Sequence, residues 1–394
     1  MGDLLLTNIG LLTTNEGEPV QQAAVSIRDG SIEYAGPEAD APEQGQAGLV
    51  DCGGRAVIPG FVDAHTHLVF AGDRSDEFRR RLAGEPYTGG GILSTVESTR
   101  AASDEQLFQL ASERVRRMIA NGTTTLEIKS GYGLETRTEL RLLAVARRIG
   151  EELPVTVKTT FLGAHSVPSE YQTDRIGYVD LLIEEAMPRA AALADYCDVF
   201  VEEGVFSVEE ARRIFEAGKA HGLEGRVHAE QLGHSGGARL AAEMGAASAD
   251  HLDHATEEDA RLLASAGVAA VLVPGASFSL RSNQAPGPML LEHGCTVALA
   301  TDCNPGTSYV EAMGFVISLA VVQMGLTVDQ SIWAATRGGA LSLGLDDRGT
   351  IGAGQQPDMV VLDAPSPAHI PYRPATSHVW GVIQAGRWSH RPRG

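Results

Sequence analysis

The sequence predicts an α/β protein: a (β/α)8 TIM-type barrel carrying a small β-sandwich domain built from both chain termini. Three observations lead there. Both ends of the chain read as short β segments, and the middle alternates short apolar strands with helical stretches. The middle strands also finish repeatedly on residues suited to metal or acid–base chemistry, as the rim of a barrel does.

Taken in order, residues 1–57 are strands and turns. AAVSIRDGSIEYAG alternates around an Asp-Gly pair, a strong hairpin signal. Residues 349–394 resemble them: PDMVVLDA and HVWGVIQAGRW are β runs separated by proline-rich loops. Neither end is large enough to stand alone, so the two are expected to form one composite unit around a barrel at 58–348. Within that span the candidate strands are VIPGFVDAH, TTTLEIKS, TVKTTFLGAH, CDVFVEEG, GRVHAEQ, ASADHL, VAAVLVPG and TVALATDC. The stretches between them, such as DEQLFQLASERVRRMIANG and VEEARRIFEAGKAHG, have helical periodicity and end in glycine. Eight such units favour a closed barrel; periodicity alone leaves an open sheet available.

Composition narrows the function. The chain has 394 residues, and 51 acidic against 31 basic side chains give a formal charge of −20. That argues against a nucleic-acid partner, and it means that an anionic substrate needs a locally placed cation. Cys52, Cys197, Cys295 and Cys303 are scattered, with no C-x-x-C pair. MGDLLLTNIGLL lacks a basic leader region, and no apolar run reaches the roughly 18 residues of a membrane span. A cytoplasmic protein with no membrane partner is expected.

His65 and His67 end the first barrel strand, His165 the third, His228 the fifth, His251 the sixth and Asp302 the eighth. At i, i+2 on a strand, His65 and His67 point to one face. With a further histidine and a carboxylate they can hold a divalent metal. Alone, H-x-H is a weak metal signal and is better read as a hydrogen-bonded pair of strand-end histidines. VHAE and ATDCNPG, at the fifth and eighth strands, shift the weight to metal.

These residues resemble the amidohydrolase superfamily, marked by H-x-H after the first strand, later strand-end histidines and a final aspartate. Within it, HTHLVFAGDR, GGGILSTV, GTTTLEIKSGYGL, FLGAHSVPSEY, VHAEQ, SADHL and ATDCNPGTS are similar to the imidazolonepropionase family, in order along the barrel. KSGYGLE and LGAHSVP are the more specific motifs. The resemblance implies one metal ion, divalent or trivalent, zinc or iron, held by His65, His67, His228 and Asp302. It implies substrate contacts from Arg74, Tyr132, His165, Gln231, His251 and the Asn304-Pro305-Gly306-Thr307 loop, and a homodimer. The reaction implied is hydrolysis of the cyclic amide of 4-imidazolone-5-propanoate to N-formimidoyl-L-glutamate.

Roles follow from residue chemistry. Asp302 is the expected general base, His251 orients the attacking water or polarises the ring carbonyl, and Gln231 completes the catalytic set. Related deaminases place a glutamate three residues after the fifth-strand histidine, whereas that position here is Gln231, with Glu230 one place earlier and facing away. An amide cannot shuttle a proton, which counts against a deaminase. Arg74 offers a bidentate fork for the propionate; without the motif it would read as one more solvent-facing arginine in DRSDEFRRRL.

Tyr132 could equally be an ordinary turn tyrosine and His165 a satisfied core histidine. Asn304, Gly306 and Thr307 fit a proline-glycine turn as well as a pocket wall. Lys129 ends the second strand. Bridging lysines of two-metal relatives usually lie on strand four, where this chain has only Glu202 and Glu203, so one metal is favoured. His254 suits a cap or the surface, and His221, His234, His293, His369, His378 and His390 receive no chemistry. The chain also departs from the family by a shorter loop between Tyr87 and Gly89. Rival readings are an amidohydrolase acting on a hydantoin- or pyrimidine-type ring, and a barrel scaffold without catalysis.

Overall fold

The barrel strands run around one sheet in chain order, each parallel to the next: Phe61–Asp63, Thr123–Lys129, Thr156–Ala164, Tyr196–Val201, Glu224–Ala229, Ser248–His251, Ala269–Leu272 and Val297–Leu299. The structure is a computed structural model that describes residues 3–42, 48–84 and 91–391; the Tyr87–Gly89 loop lies outside them. No regular ladder joins the first strand to the eighth. The seam is made at the rim instead, where the chain continues past both strands. Thr66 bridges Cys303, the His67 amide donates to the Cys303 carbonyl at 3.0 Å, and the Asp302 amide donates to the His65 carbonyl at 3.0 Å. Below them the Asp63 carboxylate accepts from the amide and hydroxyl of Thr301 at 2.9 and 2.7 Å. An open sheet is therefore ruled out, and the contacts that close the barrel also bring His65, His67 and Asp302 side by side.

One expected strand divides. In VIPGFVDAH the first part belongs to Ala56–Pro59, which pairs with Leu4–Leu12 and Met359–Leu362 in a separate sheet, and only Phe61–Asp63 enters the barrel. Gly60 makes the transfer because a Cβ there would lie 2.4 Å from the Thr124 hydroxyl. Continuous apolarity hid the boundary, since both halves are buried.

That second sheet draws strands from both chain ends, in the order Arg387–His390, Val379–Gln384, Met359–Leu362, Ala56–Pro59, Leu4–Leu12, Val20–Arg28 and Ser31–Pro37, with Leu49–Asp51 beside Leu4–Leu12. The Asp-Gly hairpin forms as its sequence dictates, Asp29 and Gly30 both having positive φ (53° and 81°). Leu6, Ile9, Val25, Ile27, Val57, Met359 and Val361 build its own apolar core.

The helices obey local rules. Asp104–Ala120 starts at a capping box between Ser103 and Gln106, and Leu107, Ala111, Val115 and Met118 form its buried stripe. Val208–Ala220 repeats the pattern with Ser207 and Glu210.

Candidate metal centre and active site

Three imidazoles and one carboxylate converge just above the seam. The Nε2 atoms of His65 and His67 are 3.3 Å apart, and those of His67 and His228 are 3.4 Å apart. Asp302 Oδ1 lies 3.5 Å from Nε2 of both His65 and His67. All four side chains are buried.

Their protonation is set from behind. His65 Nδ1 donates to Asp250 Oδ2 at 2.7 Å and His228 Nδ1 to Asp198 Oδ1 at 3.0 Å. Each therefore turns a lone pair, not a proton, toward the common centre. Burial pushes His65 and His67 well below the ordinary histidine range, so both are neutral. Lone pairs facing one another beside a carboxylate repel unless a cation sits among them. Ligands about 2.0–2.1 Å from a tetrahedral ion are about 3.4 Å apart, which is the spacing these donors have. The donor set fits a divalent metal on both counts. His251 extends it, since its donor lies within 4.8 Å of those of His65 and His228.

The rim backbone is strained where it carries these groups: Glu230, His251 and Asp302 have φ of 54°, 77° and 50°. Burial pushes the Asp302 carboxyl well above its ordinary range, and the nearby Asp63 and Asp250 charges add to this against Lys129.

Above the donors lies a cavity of about 320 Å³. His67, His228, His251 and Asp302 form its floor, and Arg74, Tyr132, His165, Gln231, Asn304 and Thr307 line it too. His165 donates from Nδ1 to the Gly131 carbonyl at 2.9 Å and stacks on His67 with ring centroids 5.0 Å apart. Asn304 Oδ1 accepts from the amides of Gly306 and Thr307, both at 2.8 Å, which fixes that loop as an Asx turn. Gly306 is not among the residues that line the cavity, and the Arg74 guanidinium lies against it. Arg74 is buried, not solvent-facing. Glu230 does face away, accepting from the amides of Ser235, Gly236 and Ala238.

Several organising residues escaped the sequence reading. Glu139 accepts from the amides of Gly131, Gly133 and Leu134 at 2.7–2.8 Å and so holds the loop that places Tyr132. Beneath the metal donors, Lys129 Nζ lies 2.9 Å from Glu127, 2.8 Å from Asp198 and 3.5 Å from Asp250. Arg226 flanks the same group, 3.5 Å from Asp250 and 4.0 Å from Glu127. The signal was present as one or two charged residues inside otherwise apolar strands, in TLEIK, CDVFV, GRVHA and SADHL.

Comparison with known proteins agrees with this geometry. The model of the amidohydrolase family matches residues 56–388. The imidazolonepropionase of Myxococcus xanthus is 46% identical, over 98% of this chain and 96% of its own, and that of Salinispora arenicola is 46% identical over the whole of both. The chain belongs to the amidohydrolase family, among the imidazolonepropionases. Solved structures resemble this amidohydrolase in fold alone. A zinc-bound adenosine deaminase from Xanthomonas campestris has a TM-score of 0.72 at 21% identity, covering 99% of this chain and 93% of its own. A 5-methylcytosine deaminase from Klebsiella pneumoniae has a TM-score of 0.80 at 17% identity, covering 99% of each chain. Among the described residues no helix is long and apolar enough to cross a membrane.

Proposed function

We propose that the chain hydrolyses the cyclic amide C–N bond of 4-imidazolone-5-propanoate, yielding N-formimidoyl-L-glutamate in histidine degradation. One observation carries the reading: a single cavity joins a metal-type donor set to a buried arginine fork, as a cyclic amide bearing a carboxylate requires. Near-complete alignment with the imidazolonepropionases supports it.

His65, His67, His228 and Asp302 would hold a zinc or iron ion, which would polarise the ring carbonyl and bring the pKa of a water down to about 7. The protein's own groups do the rest. Asp302 turns Oδ1 to the histidines and leaves Oδ2 to take a proton from the attacking water. A carboxylate is suited to that task. The same oxygen returns the proton to the ring nitrogen as the C–N bond breaks. His251, kept neutral by burial, orients water or carbonyl through a hydrogen bond. Gln231 supplies amide contacts only, which separates this site from a deaminase. His165 and Tyr132 cover the ring, and Arg74 takes the propionate.

Loss of the imidazolone ring absorbance on adding enzyme tests the activity, with hydantoin and dihydropyrimidine substrates assayed beside it. Turnover of those rings alone would overturn the assignment. Metal analysis should give about one ion per chain, and chelation should abolish turnover until zinc or iron is restored. Activity that survives full metal removal would discard the metal site. Arg74→Lys should raise KM at least about tenfold, because an ammonium cannot form the bidentate pair. An unchanged KM removes Arg74 as anchor. A cytoplasmic homodimer belongs to the same reading, and light scattering would test the dimer.

A further inference from the structure

Arg74 is gripped from one edge, and we propose that Glu77 is the positioning residue that fixes it as a carboxylate anchor. The proposal rests on the reading of Arg74 given above. Arg74 immediately precedes the helix Ser75–Leu82, and Glu77 lies within its first turn. Arg74 Nε donates to Glu77 Oε2 at 2.9 Å and Nη2 to Oε1 at 2.7 Å. A guanidinium has two forks that match a carboxylate: a side-on edge made by Nε and Nη2, and an end-on edge made by Nη1 and Nη2. Glu77 takes the side-on edge, through Nε and Nη2.

Burial separates this pair from an ordinary surface contact. On the same helix Arg79 and Asp76 pair at 77% and 88% side-chain exposure, where such contacts contribute little. Arg74 and Glu77 are 5% and 23% exposed. Backbone presses on them from two sides. A Cβ at Gly91 would lie 1.8 Å from Glu77 Oε2 and 2.3 Å from Arg74 Nη2, and one at Gly306 would lie 2.5 Å from Arg74 Nη1. The helix is itself tied to that wall, since Arg81 donates to the Gly306 carbonyl at 3.1 Å and to the Ser279 hydroxyl at 3.0 Å. With its side-on edge held and its face against Gly306, the guanidinium can neither roll nor swing. Its orientation is settled before substrate arrives, which lowers the entropic cost of binding.

The opposite role is a carboxylate that competes with substrate for Arg74, and it predicts the opposite sign. Steady-state kinetics of the metal-loaded Glu77→Gln enzyme separates the two, using 4-imidazolone-5-propanoate and an analogue whose propionate is a neutral propionamide. Positioning requires KM for the natural substrate to rise about tenfold with kcat within about twofold, and no change in kcat/KM for the analogue. Gly91→Ala, which displaces the pair with Glu77 intact, should reproduce the rise. A fall in KM makes Glu77 a competitor, and equal losses on both substrates make it merely structural; either overturns the proposal. If Arg74→Lys raises KM and Glu77→Gln does not, only the role of Glu77 falls. If neither raises it, the anchor reading fails first.

Discussion

Asp302→Asn is expected to lower kcat/KM by at least about 10³-fold while leaving the melting temperature of the metal-free protein unchanged or raised. Both halves follow from the surroundings of Asp302. The amide keeps the shape of the carboxyl and, alone among uncharged polar substitutes of that size, readily accepts the left-handed backbone (φ 50°) that this position imposes. Burial raises the Asp302 carboxyl well above its ordinary range. A carboxyl raised on folding is most favourable below its unfolded pKa and loses that advantage as pH rises through the folded value. At neutral pH the metal-free wild type therefore carries a penalty that the amide lacks. Activity suffers because an amide nitrogen or oxygen cannot take up and return a proton, and because one anionic metal donor is gone. Turnover, melting and metal content measured on one preparation check the prediction, and wild-type-like turnover would remove Asp302 from the role of base.

Much of this site was legible because it obeys simple periodicities. His65 and His67 share a face through the two-residue repeat of a strand, and strand-end histidines gather once eight strands close. His65, His67, His165, His228 and Asp302 stood out as strand ends, whereas Arg74, Tyr132 and Gln231 were named through the resemblance to the imidazolonepropionases. What stayed hidden depends on relations that no local pattern encodes. The boundary at Gly60 was invisible because the chain is apolar on both sides while it changes sheets. Glu77 sat in a charged run, DRSDEFRRRL, where every member looks alike, and only burial picks out the Arg74 pair from the Arg79 pair. His251 and Asp302 have positive φ at the rim, and neither residue type announces it.

The deepest omission was Lys129, which the sequence reading weighed only as a metal-bridging residue and set aside. Its place is below the metal donors, fully buried among Glu127, Asp198 and Asp250. Asp198 shows what the lysine does: burial pushes its carboxyl up, yet His228 and Lys129 hold it well below the ordinary range. Because Asp250 and Asp198 hold Nδ1 of His65 and His228, one ammonium stands behind two of the proposed metal donors. Lys129→Met is expected to cost about 3–5 kcal/mol of folding stability, since it takes the ammonium from buried Asp198 and leaves Glu127 and Asp250 with Arg226 alone. Metal affinity should fall about 10- to 100-fold as the two imidazoles lose their fixed orientation.

The stability loss should depend on pH in a defined direction. A carboxyl lowered on folding contributes above its unfolded pKa of about 3.9 and loses that contribution as pH falls toward its folded value. The gap between wild type and Lys129→Met should thus be full at neutral pH and narrow below about pH 4. Urea unfolding across that range, paired with metal competition against a chelator, reads both effects. A gap of less than about 1 kcal/mol at neutral pH would mean that the carboxylates do not need the lysine. The orientation of His65 and His228 would then have to come from the barrel backbone alone.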